Sequence, residues 1–277
     1  MVTIKSIKRN NQQLSALVER QLLFETRFKF SFIQNLITPF LQMLVIFFIF
    51  GVIYAVDDQY VFGYWTSSNF TLFLLIGFSI QYINPLIDKF QRGLQNEKYW
   101  KTLQALLIAP LNRFVIIFGI AFAHLIVYSL PIVFIMVLAF IVSPIPIYIF
   151  FLVLLVYFSI ILTFGAIGLL LGAFVISNEN VSSTASLFMK ILFWLSCVTY
   201  PLFIFPEFVR FFILLNPLYY FFDLLRLTWL LGVDPEFALS FITPTHLIVV
   251  ISFTVLTPII CTYLFDKTFK KYGIKGY

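Results

Sequence analysis

Residues 114–176 read FVIIFGIAFAHLIVYSLPIVFIMVLAFIVSPIPIYIFFLVLLVYFSIILTFGAIGLLLGAFVI. The run holds no Asp, Glu, Lys or Arg, and its one imidazole is His124. Two apolar stretches, 114–142 and 147–176, flank the short connection Ser143-Pro144-Ile145-Pro146. Each is longer than the roughly 20 residues a helix needs to cross a bilayer, and proline in the connection blocks a continuous helix. The run predicts a tight transmembrane hairpin. A barrel does not fit, because the apolar residues run continuously rather than alternating with period two.

The rest of the chain agrees. Hydrophobic residues make up 61% of the 277 and charged residues 11%, with a mean hydropathy of +1.01. A soluble domain is nearer half apolar and a quarter charged, so the bilayer must be the solvent. Six stretches are long enough to cross: about 36–56, 70–88, 114–142, 147–176, 186–206 and 245–265. They divide the chain into a cytoplasmic N-terminus at 1–35, a six-span domain at 36–265 and a basic tail at 266–277. No secretory signal is visible. Cys197 and Cys261 both lie in apolar runs and do not fix a redox compartment.

Charge sets the orientation. Of the 18 Lys and Arg, all but Arg210 and Arg226 fall in the N-terminus, the loop 89–113, the region around Lys190 and the tail. By the positive-inside bias these segments and both termini are cytoplasmic, in the plasma (inner) membrane. The net charge of +6 is therefore a topology signature rather than a nucleic-acid footprint.

Three segments outside the spans carry more information. Over 14–35, apolar Leu14, Leu17, Val18, Leu22, Phe24, Phe28 and Phe32 recur at roughly helical spacing with charges between them. This predicts an amphipathic helix along the cytoplasmic interface, as either a surface anchor or a mechanical element. The loop 88–113, DKFQRGLQNEKYWKTLQALLIAPLNR, is charged, then amphipathic, then broken by Pro110; a short surface helix near Thr102 and a solvated loop both fit. The third, 205–232, is an apolar run broken at Asn216-Pro217. Each half is too short to cross, which predicts two short helices that dip into the outer leaflet and return. Such backbone survives at membrane depth only against protein or a water-filled cavity. Asp223 and Arg226, three residues apart on one helix face, can pair.

Within the spans, Gly168 and Gly172 form a small-xxx-small face, suited to ordinary packing or a dimer contact. His124 reads as a packing residue and His246, at the start of the sixth span, as interfacial. No phosphate-binding G-x-x-x-x-G-K-[ST], nucleophile elbow or zinc spacing is present. Transport against a gradient therefore needs a partner or an ion gradient, and no intramembrane row of carboxylates supports the latter.

Three stretches in order resemble the permease subunit of type-2 ATP-binding-cassette exporters. Leu17-Val-Glu-Arg20 through Pro39-Phe-Leu-Gln42 looks like the family's interface helix running into span one. Glu97-Lys-Tyr-Trp-Lys-Thr-Leu-Gln-Ala-Leu-Leu-Ile-Ala-Pro-Leu-Asn-Arg113 looks like its "E…GTLE.LL.APL.R" signature, with Lys101 for the usual glycine and Gln104 for the glutamate. Tyr200-Pro-Leu-Phe-Ile-Phe-Pro206, Leu215-Asn-Pro-Leu218 and Asp223…Arg226 are similar to its outer region. The branch suggested is the drug and nodulation-factor exporters rather than the polysaccharide exporters. The resemblance implies an all-α integral membrane protein: six transmembrane helices, an N-terminal amphipathic interface helix, a cytoplasmic coupling helix and an outer re-entrant helical hairpin. It implies a second permease chain, two copies of an ABC ATPase subunit carrying the ATP and magnesium, and no cofactor or ATPase site in this chain. Glu97, Lys98, Lys101, Thr102, Leu103, Leu106, Leu107 and Pro110 become the coupling residues, and Pro201, Pro206, Asn216, Pro217, Asp223 and Arg226 the outer cap. The cargo expected is amphipathic or lipid-like: a drug, glycolipid or oligosaccharide. An ion-gradient-driven transporter or channel is the alternative. It needs membrane-embedded charge or inverted repeats.

Overall fold

A computed structural model describes residues 4–27, 29–56, 62–63, 65–88, 113–177 and 179–272. The described chain is helical apart from turns and an isolated bridge between Phe62 and Trp65. Its helices are α1 (Ile4–Thr26), α2 (Lys29–Val56), α3 (Ser67–Gln81), α4 (Arg113–Val142), α5 (Ile147–Ser177), α6 (Glu179–Trp194), α7 (Glu207–Leu215), α8 (Pro217–Leu231), α9 (Pro235–Phe241) and α10 (Pro244–Tyr272). Among the described residues, four segments are long and apolar enough to cross a membrane: Phe32–Ile53, Ser67–Asp88, Ile147–Gly172 and Pro244–Phe265. The bent pair α7 and α8, meeting at 90°, makes a fifth if counted as one span.

Prolines lie inside α2 (Pro39), α4 (Pro131) and α10 (Pro258) without ending them. In lipid this is tolerated where neighbouring groups re-satisfy the backbone. Around Pro258 in α10, Thr254 and Thr262 donate their hydroxyls to the carbonyls of Val250 and Pro258, each at 2.6 Å.

Three boundaries differ from the sequence reading. The helical segment expected at 14–35 is two helices, since α1 ends at Thr26 and α2 starts at Lys29. The α1 helix lies along α4, so close that a Cβ on Gly119 would stand 3.0 Å from the Leu17 Cβ. Its apolar face is therefore spent on protein as well as on any interface. The fifth apolar stretch, expected to run to 206, ends as a helix at Trp194; the chain turns through 195–200, and Cys197 takes a left-handed φ of 58°. The third difference is in the centre. The α8 helix packs against α3, α5 and α10, and 12 of its 15 residues are buried. A helix buried on every side belongs to the core rather than the lipid boundary.

Candidate functional site

The α8 helix carries two charged side chains into that core: Asp223, 5% exposed, and Arg226, 1% exposed. Burying a charge is costly unless it is paired and hydrogen-bonded, so their partners define the site. Asn216 begins the helix. Its side-chain oxygen accepts from Leu218 N–H at 3.1 Å, and its amide donates to the Leu192 carbonyl at 2.6 Å. Pro217 follows at the first helical position, where its missing N–H costs nothing. One residue thus caps α8 and ties it to the end of α6.

Arg226 makes the second tie to the same place. Its guanidinium donates to the carbonyls of Cys197, at 2.8 Å, and of Val198. It also lies over the Phe73 ring, with Cζ 3.8 Å from the centroid, where the ring's quadrupole attracts a cation. A planar fork meets two carbonyls that only the turn after Trp194 can present together. The positive charge also sits just past the carboxyl end of α6, where the helix dipole favours it. Gly77 of α3 makes the room: a Cβ there would collide with Val198 O and stand 2.8 Å from Arg226 Nη2. We expect Gly77→Ala to lower stability by about 1–3 kcal/mol, the usual result of overpacking, read as a fall in melting temperature of the purified protein in detergent. An unchanged melting temperature would mean that α3 packs loosely against the turn after α6 and against Arg226.

Asp223 points the other way. Its carboxylate accepts from His246 Nε2 at 3.1 Å and from the Tyr219 hydroxyl at 3.4 Å. His246 stands at the start of α10 and is 6% exposed. The Thr243 N–H donates to Nδ1 at 3.3 Å and the Thr243 hydroxyl lies 2.7 Å away. A ring nitrogen that accepts a backbone N–H leaves the neutral ring's proton on Nε2, aimed at Asp223. His246 is thus buried and joins α8 to α10, a contact that its reading as an interfacial residue did not include. Its signal was present in the sequence, since a carboxylate in an apolar helix requires a partner and His246 opens the next membrane-length apolar stretch.

Near the carboxyl end of α8, Trp229 donates its indole N–H to the Ser143 carbonyl at 3.1 Å. Arg210 of α7 donates to the carbonyls of Phe203 and Phe205, both at 2.6 Å, holding the turn between them. Pro201 precedes the 3₁₀ turn Leu202–Ile204 and Pro206 precedes α7. The six outer residues named from the sequence thus fall on one continuous region, and Asn216, Asp223 and Arg226 are its buried polar contacts. The coupling residues from Glu97 to Pro110 lie outside the described residues. Both cysteines are free and buried. Among the described residues, no group of three or more His, Cys, Asp or Glu could hold a metal ion.

The arrangement clamps a bent helix pair to three neighbours. The family model of the ABC-2 type transporter matches residues 12–230. The chain belongs to the ABC-2 type transporter family. It is a membrane protein and a transport permease component. The match runs from within α1, through the loop 89–112, to the last turn of α8, and leaves His246 beyond its end. ABC-2 membership implies an ABC ATPase partner. No curated protein matches the chain.

A double-mutant cycle checks the lock between α8 and α10. For Asp223→Asn with His246→Ala we expect a coupling of about 0.6–1.7 kcal/mol, the range found for polar pairs inside membrane proteins. Additive losses would mean that the two side chains do not interact.

Proposed function

We propose that this ABC-2 chain is the permease subunit of an ATP-driven exporter in the plasma membrane. Two such chains, most simply a homodimer, assemble with two ATPase subunits that carry ATP and magnesium. The observation that carries the reading is the family match over 12–230 on a chain of membrane-length helices. Six crossings follow if α4 and α6 join the four long segments. At 1.5 Å per residue, the 30 residues of α4 span about 45 Å, beyond the roughly 30 Å hydrocarbon core. Both termini then face the cytoplasm, as the basic segments require.

In this reading the loop 89–112 docks in a cleft of the ATPase. Leu103, Leu106 and Leu107 supply apolar packing, Glu97, Lys98, Lys101 and Thr102 polar contacts, and Pro110 the stop. The α1 helix, laid along α4, braces the movement, and ATP-driven closure tilts the spans as rigid bodies. The transport path runs between protomers along α2 and α6, whose exposed side chains include Leu41, Phe48, Phe188 and Trp194. Most of α3 from Phe70 to Ile80 is buried within the chain and stands behind that path. The α7–α8 pair caps the outer end as a re-entrant element. An apolar, aromatic wall suits an amphipathic or lipid-like cargo, in keeping with the drug and nodulation-factor branch.

Topology is the direct test. Because Cys197 and Cys261 are buried, a cysteine introduced by Lys98→Cys gives a clean label. It should react with an impermeant maleimide in inside-out vesicles and resist it in intact cells. Reaction from outside alone would overturn the orientation and, with it, the ATPase docking.

A further inference from the structure

The long hairpin leaves a cavity between its two helices. About 690 Å³ lies between α4 and α5, walled by Val133, Met136, Val137 and Phe140 on one side and Phe150 and Leu154 on the other. Val133, Val137, Phe140 and Leu154 are exposed, so the cavity opens as a groove on the outer surface of the hairpin. An exposed, uncharged apolar surface on a membrane protein suits contact with hydrocarbon.

Three observations fix the chemistry of an occupant. First, residues 114–178 carry no Asp, Glu, Lys or Arg, so the groove offers nothing to a charged head group or a charged peptide. Second, its two hydroxyl side chains are already engaged. Ser129 donates to the Ile126 carbonyl at 2.8 Å, and the Tyr157 hydroxyl pairs with Ser79 of α3. Water needs two to four polar partners to stay in a cavity, and this one supplies none beyond hydroxyls bonded elsewhere. Third, the size is that of a hydrocarbon chain. At about 30 Å³ per water-sized unit, the space takes about twenty such units, and a methylene is close to that size. Along α5 the lining runs from Ile147 to Ile161, about 21 Å at 1.5 Å per residue, against roughly 15 Å for one leaflet of a 30 Å core.

Interiors pack without voids of this size, and the bilayer presents hydrocarbon at the groove mouth with no rearrangement of the protein. We propose that the α4–α5 groove binds one acyl chain of a bilayer phospholipid, its head group at the level of the 143–146 connection. The site is separate from the cargo path along α2 and α6. It needs only the membrane location, not the coupling scheme.

The test is photolabelling of the full-length protein in nanodiscs made with phosphatidylcholine carrying a diazirine in one acyl chain. Adducts are mapped by mass spectrometry. We expect at least fivefold more adducts on the groove residues of α4 and α5 than on Ile251, Leu256 and Ile259 of α10, which are more than half exposed but do not line this groove. Val137→Trp, which fills the groove, should bring the ratio near one, and Leu154→Phe gives a second, milder reading. Equal labelling of α10 and the hairpin in the wild-type protein overturns the proposal without recourse to either variant. So does crosslinking between two copies through a photoreactive residue at 137, which would make the groove a protein interface. Labelling that appears only with a lipid-linked cargo, and not with phosphatidylcholine, overturns it as well.

Discussion

Arg226→Met should destabilise the protein by about 2–6 kcal/mol, the largest loss expected of any single substitution in the chain. The guanidinium serves two buried carbonyls, those of Cys197 and Val198. Each buried acceptor that loses its donor costs about 1–3 kcal/mol. The thioether keeps much of the volume and can rest on Phe73, so the loss reports the polar contacts rather than a cavity. Lysine should not rescue. One ammonium cannot reproduce a planar fork reaching two carbonyls while stacked on a ring. The measurement is the melting temperature and the monodisperse yield in detergent, with Arg210→Met as a comparison from a partly exposed site. If Arg226→Met matched the Arg210→Met loss, the turn after α6 would not depend on Arg226, and the account of why α6 stops at Trp194 would fail.

The second large effect falls on assembly. Leu106→Asp with Leu107→Asp should abolish co-purification with the ATPase subunit while leaving membrane insertion intact. In the proposed docking these leucines enter an apolar cleft. Two carboxylates placed there would each lose solvation without gaining a partner, at several kcal/mol apiece, and 1.4 kcal/mol is already tenfold in affinity. We expect at least a hundredfold loss of binding. Insertion should survive because both changes fall in a polar stretch of the sequence, outside the apolar runs long enough to cross a membrane. A control change in the tail, Lys275→Asp, should leave binding within about twofold. Unchanged association of the double variant would remove the coupling role of this loop and leave the outer lock untouched.

The two predictions differ in how far they were legible beforehand. The coupling residues came from a linear signature, because a docking helix is specified by a short local pattern of leucines and charges. The outer lock was only half legible. Asn216-Pro217 reads directly as a cap and a helix start, since the chemistry is local: one side chain accepts from a backbone N–H two residues on. Asp223 and Arg226 stood out as charges in an apolar helix. Local spacing lets them pair with each other; the structure adds partners far off in the sequence, His246 twenty-three positions on for Asp223 and the carbonyls 28–29 positions back for Arg226. Periodicity cannot see such contacts, because they depend on how α8 lies among α3, α5, α6 and α10.

The sequence by itself determined that this chain lives in a bilayer, that its apolar runs are helices and that proline interrupts them at 143–146 and 217. Those are consequences of hydropathy and of backbone chemistry within a few residues. Tertiary structure decided where the fifth apolar stretch stops being a helix, that α8 is a core element, and that His246 faces inward. In the first and last of these a buried charge is being satisfied: Arg226 meets the carbonyls of the turn after Trp194, and Asp223 meets His246. A linear reading can name the charge that must be satisfied, but only the packed helices reveal which group satisfies it.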